Sequence, residues 1–199
     1  MKKKIMNSAE TIIRKNYPSY DDEKMEIIMY GLEGIYLSIT KLVIITLVSY
    51  LLGIFKEYVV VLLLFNVLRL TAFGLHANNS NACLFTSMSA FIITPYLCSF
   101  LVLNMYVKLG LGIFCVICFI LYAPADTEKR PIVNPKRRLV YKIVTTLTGI
   151  CFVIGALVLK ENFICNALIF SMLIEVFLIH PLTYKVFNMS YDNYKNFKV

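Results

Sequence analysis

Six long apolar runs fill most of the chain between residues 32 and 180, and they constrain its fold more than any other feature. The runs are Leu32–Phe55, Tyr58–Phe73, Leu84–Leu103, Leu109–Ala123, Leu139–Leu159 and Phe163–His180. A helix rises 1.5 Å per residue, so about 20 apolar residues cross a hydrocarbon layer of about 30 Å. Hydrophobic residues make up 59% of the chain and charged residues 16%, whereas soluble domains are roughly half apolar and about a quarter charged. We therefore predict an all-α, polytopic membrane protein with about six transmembrane helices.

Lysines and arginines are distributed unevenly between the runs. Residues 1–31 hold six of them, the loop 124–138 holds five and the tail 182–199 holds three, whereas the three short turns hold one lysine each. The positive-inside rule then places both termini in the cytoplasm. This predicts one integral membrane domain over 1–199, with a transmembrane bundle at 32–181 and a cytoplasmic tail. The net charge of +8 is assigned to orientation and anionic lipid, and no nucleic-acid partner is expected.

Residues 1–31 are predicted to form an amphipathic entry segment. Apolar residues such as Ile5, Ile12 and Ile13 recur at helical spacing against basic residues, until Tyr17–Asp21 breaks the pattern. A basic amphipathic helix can lie in the headgroup layer, and a solvated helix that caps the bundle is an equal alternative. The first residues lack the clean hydrophobic core of a cleavable signal peptide, so we expect the N-terminus to stay in the mature protein.

A polar interruption at residues 74–83 separates the second and third runs and faces the cytoplasm in this topology. It contains His76, a potential base, and Cys83, a potential nucleophile at a position where a helix can begin. In a continuous helix the two residues would lie roughly 10 Å apart along the axis. Their contact requires a turn at Asn78–Asn81, and Gly74 permits unusual backbone angles beside it. The alternative is a buried thiol with an interfacial imidazole.

Other candidate groups have alternatives of their own. Arg69, about one helical turn before Gly74, can neutralise a carboxylate or hold the loop, or it can extend to the interface. Cys115 and Cys118 form a C-x-x-C pair that is typical of thiol oxidoreductases, but their position inside an apolar run favours buried packing. The sequence offers no plausible set of metal ligands, and we expect no cofactor.

Two motifs carry a resemblance to a known family. The residues Arg69, Gly74-Leu75-His76-Ala77 and Cys83, together with Ala123-Pro124-Ala125-Asp126-Thr127-Glu128-Lys129-Arg130-Pro131-Ile132, resemble the AgrB family of membrane cysteine endopeptidases in bacterial quorum sensing. The resemblance covers almost the whole chain. One departure is Phe73, where many relatives have a second glycine.

The resemblance implies an activity, a substrate and a location. It implies that Cys83 is the nucleophile and His76 its general base, with Arg69 and Gly74 at supporting positions. The expected reaction removes the C-terminal part of an AgrD-type precursor through a thioester, and promotes thiolactone or lactone ring closure. The expected location is the bacterial cytoplasmic membrane, with the active site facing the cytoplasm and the protein forming a homodimer.

The basic loop is a candidate docking site for the acidic C-terminal part that such precursors typically have. Its cationic residues are Lys129, Arg130, Lys136, Arg137 and Arg138. The alternative is that they only enforce topology. A different function also stays open, in which the protein exports a small peptide without cleaving it. In that case Lys41, Asn66 and Arg69 line a polar path, and the His76 to Cys83 loop is only structural.

Overall fold

The structure is a computed structural model that describes residues 2–75, 80–127 and 131–196. Within these ranges it consists of helices: α1 Lys2–Asn16, α2 Asp22–Leu51, α3 Phe55–Ala72, α4 Ser80–Phe100, α5 Met105–Tyr122, α6 Pro135–Val158, α7 Asn162–Ile179, α8 Pro181–Val186 and a 3₁₀ turn at Asn193–Asn196. No β-strand occurs in the described ranges, although one parallel β-bridge pairs Phe73 with Ala125. The all-α prediction is confirmed.

Four of the described helices, α2, α5, α6 and α7, are long and apolar enough to cross a membrane. Of the other two predicted spans, α3 carries Lys56, Glu57 and Arg69 within 18 residues. The described apolar part of α4 is the shorter stretch Leu84–Phe100. These helices indicate a membrane protein. Six crossings, cytoplasmic termini and the amphipathic entry segment stay predictions.

The chain divides into two compact units, residues 1–48 and residues 49–199. In the first unit, α2 begins at Asp22, well before the apolar run that starts at Leu32. The reason is local, because Asp21 Oδ1 accepts a hydrogen bond from the Lys24 N–H at 2.9 Å and so caps the helix. Acidic residues in the first turn also suit the positive end of a helix dipole. A helix therefore forms before its apolar face begins.

In the second unit, α7 is the central helix and contacts α3, α4, α5 and α6. It is apolar around most of its circumference, which is typical of a helix buried on all sides. Asn166 joins α7 to the end of α4, since its side-chain amide donates to the carbonyls of Cys98 at 3.0 Å and Leu101 at 2.6 Å. The central position of α7 gives its side chains access to the junction between α3 and α4.

Candidate functional site

The predicted interruption at residues 74–83 is not one continuous helix. α3 ends at Ala72 and α4 begins at Ser80, and Gly74 and Leu75 between them are not helical. His76 lies outside the described residues. Cys83 has its backbone in the first turn of α4, but its side chain also lies outside them. The turn that would bring His76 to Cys83 stays a prediction. The described part of the site is the set of residues that holds the chain up to Leu75, which we call the frame. Its members are Arg69, Gly74, Ala125, Asp126, Glu175 and Leu178.

The Arg69 guanidinium holds the two residues before His76. Its Nη2 donates to the carbonyl oxygens of Gly74 at 3.1 Å and Leu75 at 2.8 Å. Its Nη1 forms an ion pair with Glu175 Oε1 of α7 at 3.3 Å. The Arg69 side chain is 23% exposed, whereas that of Glu175 is completely buried. Arg69 therefore both neutralises a carboxylate and holds the loop.

Gly74 adopts a conformation that favours glycine. Its φ is +95°, and an added Cβ would lie 2.6 Å from Arg69 Nη1, 2.9 Å from the Leu178 carbonyl oxygen and 3.1 Å from Ile179 Cγ2. Its N–H donates to the Ala125 carbonyl at 2.7 Å, and the Leu75 N–H donates to the Leu178 carbonyl at 2.9 Å. The left-handed backbone and the tight surroundings exclude a side chain here.

The segment after α5 returns to the end of α3 and completes the frame. The Ala125 N–H donates to the Ala72 carbonyl at 2.9 Å, while the Ala125 carbonyl accepts from Gly74. These two bonds, together with the β-bridge from Ala125 to Phe73, fix the chain on both sides of Phe73. Phe73 itself packs edge to face against Tyr141 of α6, with ring centroids 5.0 Å apart. The residue that replaces the expected second glycine thus contributes to packing.

Asp126 is a buried carboxylate that joins this segment to the C-terminal tail. It is 2% exposed. Its carboxylate accepts four hydrogen bonds of 3.0 to 3.3 Å, from the backbone N–H groups of Ile132, Asn193 and Tyr194 and from Arg138 Nη1. The Tyr184 hydroxyl donates to the Asp126 carbonyl at 3.1 Å, and burial raises the pKa of that hydroxyl, which keeps it a donor. The tail is therefore bonded to the residue that follows Ala125.

The predicted docking residues differ in their surroundings. Lys129 and Arg130 lie outside the described residues, whereas Lys136 and Arg137 are exposed in the first turn of α6. Arg138 instead bonds Asp126 at 3.3 Å and stacks on the Tyr194 ring at 3.5 Å. Lys136 and Arg137 thus face solvent, whereas Arg138 holds the tail.

Two acidic residues of this frame were missed by reasoning from the sequence. Glu175 is the one carboxylate in the sixth apolar run, and an ionisable residue in such a run is a signal for a functional partner. Asp126 belongs to the second motif, but the sequence gives it no role of its own.

Cys115 and Cys118 lie in the hydrophobic core at 0% and 4% exposure, as buried packing requires. Among the described residues, no group of three metal-binding side chains lies together.

Comparison with known proteins places the chain in one family. The family model of accessory gene regulator B matches residues 6–179. The chain is 38% identical over 168 residues to an AgrB-like protein of Clostridium acetobutylicum, covering 84% of this chain and 80% of that protein. It is 30% identical over 195 residues to an AgrB-like protein of Listeria monocytogenes serovar 1/2a, covering 96% and 93%. It is 30% identical over 181 residues to accessory gene regulator protein B of Staphylococcus epidermidis, covering 90% and 91%. No solved structure matches the chain significantly.

Proposed function

Since the chain belongs to the accessory gene regulator B (AgrB) family, we propose that it is a membrane-embedded cysteine endopeptidase. Family membership implies a role in accessory-gene-regulator quorum sensing and in the processing of an autoinducing peptide. The proposed substrate is an AgrD-type precursor, cleaved at its C-terminal part on the cytoplasmic side of the bacterial membrane. The observation that supports this most is the frame around Arg69 and Gly74, which ends directly before His76.

Cys83 is the proposed nucleophile, and the position of its backbone supports that role. It lies in the first turn of α4, where backbone N–H groups lack partners within the helix and the helix dipole is positive. Both features stabilise a thiolate and lower the pKa of a thiol. His76 is the proposed general base, and the N-terminal end of its segment is held by the Arg69 hydrogen bonds to Gly74 and Leu75.

The reaction proceeds in two acyl transfers. The Cys83 thiolate attacks the scissile carbonyl, the C–N bond breaks, and the imidazolium of His76 gives its proton to the departing amine. The precursor is then held as a thioester. An internal cysteine thiol or serine hydroxyl of the precursor gives its proton to the neutral imidazole of His76 and attacks this thioester. The C–S bond to Cys83 breaks, the ring closes, and Cys83 returns as a thiolate beside the imidazolium. Exclusion of water at the membrane border protects the thioester from hydrolysis.

The acidic part of the precursor is proposed to dock on the basic loop. Lys136 and Arg137 are exposed and stay in reach of a ligand, and Lys129 and Arg130 belong to the same loop. Arg138 is bonded to Asp126 and Tyr194, so its proposed role is to hold that loop on the tail. We also propose a homodimer, on the ground of the family alone.

Substitution of the nucleophile tests the proposal against the exporter alternative. In proteoliposomes with an AgrD-type precursor, Cys83→Ala and His76→Ala are expected to abolish cleavage at unchanged protein level and membrane insertion. Cys151 is an exposed free cysteine in α6, and Cys151→Ala is a matched control that should retain cleavage. Cleavage by Cys83→Ala at the wild-type rate would overturn the cysteine-endopeptidase proposal, and no cleavage by the wild-type protein would favour the exporter.

A further inference from the structure

We propose that Glu175 of α7 is a positioning residue for the segment that carries His76, and that it acts through Arg69. This inference rests on the proposed cysteine endopeptidase function. Glu175 does not belong to either motif that identifies the family, and it lies 106 residues from Arg69 in sequence. Its role follows from its burial, its partner and what that partner holds.

The Glu175 carboxylate lies in an environment that disfavours a charged group. Its side chain is completely buried, in a helix that is otherwise rich in apolar residues. One oxygen, Oε1, meets Arg69, whereas Oε2 has no hydrogen-bond partner among the described residues. Replacement of a buried ion pair by apolar side chains of similar volume is often neutral or stabilising. Stability alone therefore does not explain a carboxylate at this position.

The Glu175 carboxylate restrains the orientation of the Arg69 guanidinium. The carboxylate bonds Nη1 at 3.3 Å, and the planar guanidinium then presents Nη2 to the carbonyls of Gly74 and Leu75. The Leu75 carbonyl belongs to the peptide unit that joins Leu75 to His76, and a peptide unit is planar. The hydrogen bond to that oxygen at 2.8 Å therefore restrains the direction in which the chain leaves Leu75.

Backbone hydrogen bonds hold Gly74 and Leu75 in the fold independently of Glu175. Gly74 and Leu75 are also held through their N–H groups, by the carbonyls of Ala125 and Leu178, and neither bond involves a side chain. Loss of Glu175 therefore leaves these backbone contacts in place. What it removes is the orientation of the guanidinium, and with it the orientation of the two carbonyls. Misplacement of a catalytic group by about 1 Å can lower a rate on the order of a hundredfold.

The test uses full-length protein in proteoliposomes with an AgrD-type precursor. Glu175→Gln keeps the shape of the side chain and removes its charge. We expect its kcat to fall by about tenfold to a hundredfold, with KM within about twofold because the basic loop is untouched. Glu161→Gln is the matched control, since Glu161 is an exposed residue at the start of the same helix with no capping hydrogen bond. It should match the wild type.

A double-mutant cycle tests whether Glu175 acts through Arg69. Residues that act as one unit are not additive, so Arg69→Gln with Glu175→Gln should be no slower than Arg69→Gln alone. Multiplied effects would contradict the proposal. If Glu175→Gln does not accumulate, Arg69→Met with Glu175→Met removes both charges while keeping apolar volume. That variant should accumulate and cleave slowly, and wild-type cleavage by it would overturn the proposal.

Alkylation of Cys83 by iodoacetamide gives a readout that does not depend on cleavage. In a Cys151→Ser background, Glu175→Gln should move the pH midpoint of Cys83 alkylation upward by about one unit, since a displaced base stabilises the thiolate less. An unchanged midpoint together with wild-type kcat refutes the positioning role of Glu175 and leaves the proposed function untouched. Cleavage by Cys83→Ala refutes the proposed function, so the two failures are distinguishable.

Discussion

Substitution of Gly74 by alanine tests the frame that precedes His76. The change places a Cβ on a residue with φ +95°, 2.6 Å from Arg69 Nη1 and 2.9 Å from the Leu178 carbonyl oxygen. A side chain in such a backbone region costs about 1–3 kcal/mol, and overpacking adds roughly 1–3 kcal/mol. The guanidinium can move away from the new methyl group, but the Leu178 carbonyl belongs to the backbone of α7. We therefore expect Gly74→Ala to lower the free energy of unfolding by about 2–6 kcal/mol.

Thermal unfolding in detergent measures this loss. For a chain of this size, 1 kcal/mol corresponds to about 2–4 °C in Tm, so the expected decrease is roughly 4–24 °C. The rate of precursor cleavage should fall even at temperatures where Gly74→Ala is still folded, because displacement of Arg69 releases the Gly74 and Leu75 carbonyls. Gly110→Ala is the matched control, since a Cβ on this exposed glycine of α5 meets nothing within 4 Å. Its Tm should be unchanged or slightly higher.

A wild-type Tm for Gly74→Ala would refute the reasoning. It would mean that Gly74 is not held in a left-handed conformation against Arg69 and Leu178. A lower Tm with wild-type cleavage would refute the link between this frame and the active site, because the Arg69 contacts would then be dispensable for catalysis.

Three further predictions concern the tail, the basic loop and the direction of the reaction. Asp126→Ala leaves the N–H groups of Asn193 and Tyr194 without their acceptor. It should lower the free energy of unfolding by about 2–4 kcal/mol and speed proteolysis of the tail. Lys136→Gln with Arg137→Gln should raise KM several-fold at constant kcat and reduce its dependence on salt, whereas exposed Lys160→Gln should not. Conversion of an amide to a thioester is uphill, so excess of the released C-terminal fragment should slow net consumption of precursor.

Each of these predictions has a contradicting result. A tail that resists protease equally in Asp126→Ala would show that the carboxylate does not hold it. An unchanged KM in the doubly neutralised variant, with topology intact, would remove the docking proposal. Complete consumption of precursor while the released fragment accumulates at high concentration would show that cleavage is not reversible.

The sequence predicts local features of this fold better than contacts between distant segments. Apolar runs identify the helices, but α2 begins at Asp22 because the cap at Asp21 and its acidic first turn act outside the apolar stretch. The roles of Arg69 and Gly74 are also local, since Arg69 bonds residues five and six positions away. These interactions follow from short spacings along the chain.

Contacts over long separations could not be predicted in the same way. Glu175 meets Arg69 across 106 positions, and Asp126 accepts from Asn193 across 67. No periodicity or spacing in a single sequence states which helices pack together, so the partner of a lone carboxylate stays open. The sequence does indicate that Glu175 has a partner or a function, because a carboxylate in an apolar run requires one.

Direct detection of an acyl-enzyme on Cys83 is the most decisive measurement. Purified protein is mixed with an AgrD-type precursor, quenched in acid, digested and analysed by mass spectrometry. We expect the peptide containing Cys83 to carry the N-terminal part of the precursor through a bond that hydroxylamine cleaves, and Cys83→Ala to give neither adduct nor product. Cleaved precursor without an adduct, together with an active Cys83→Ala variant, would contradict it.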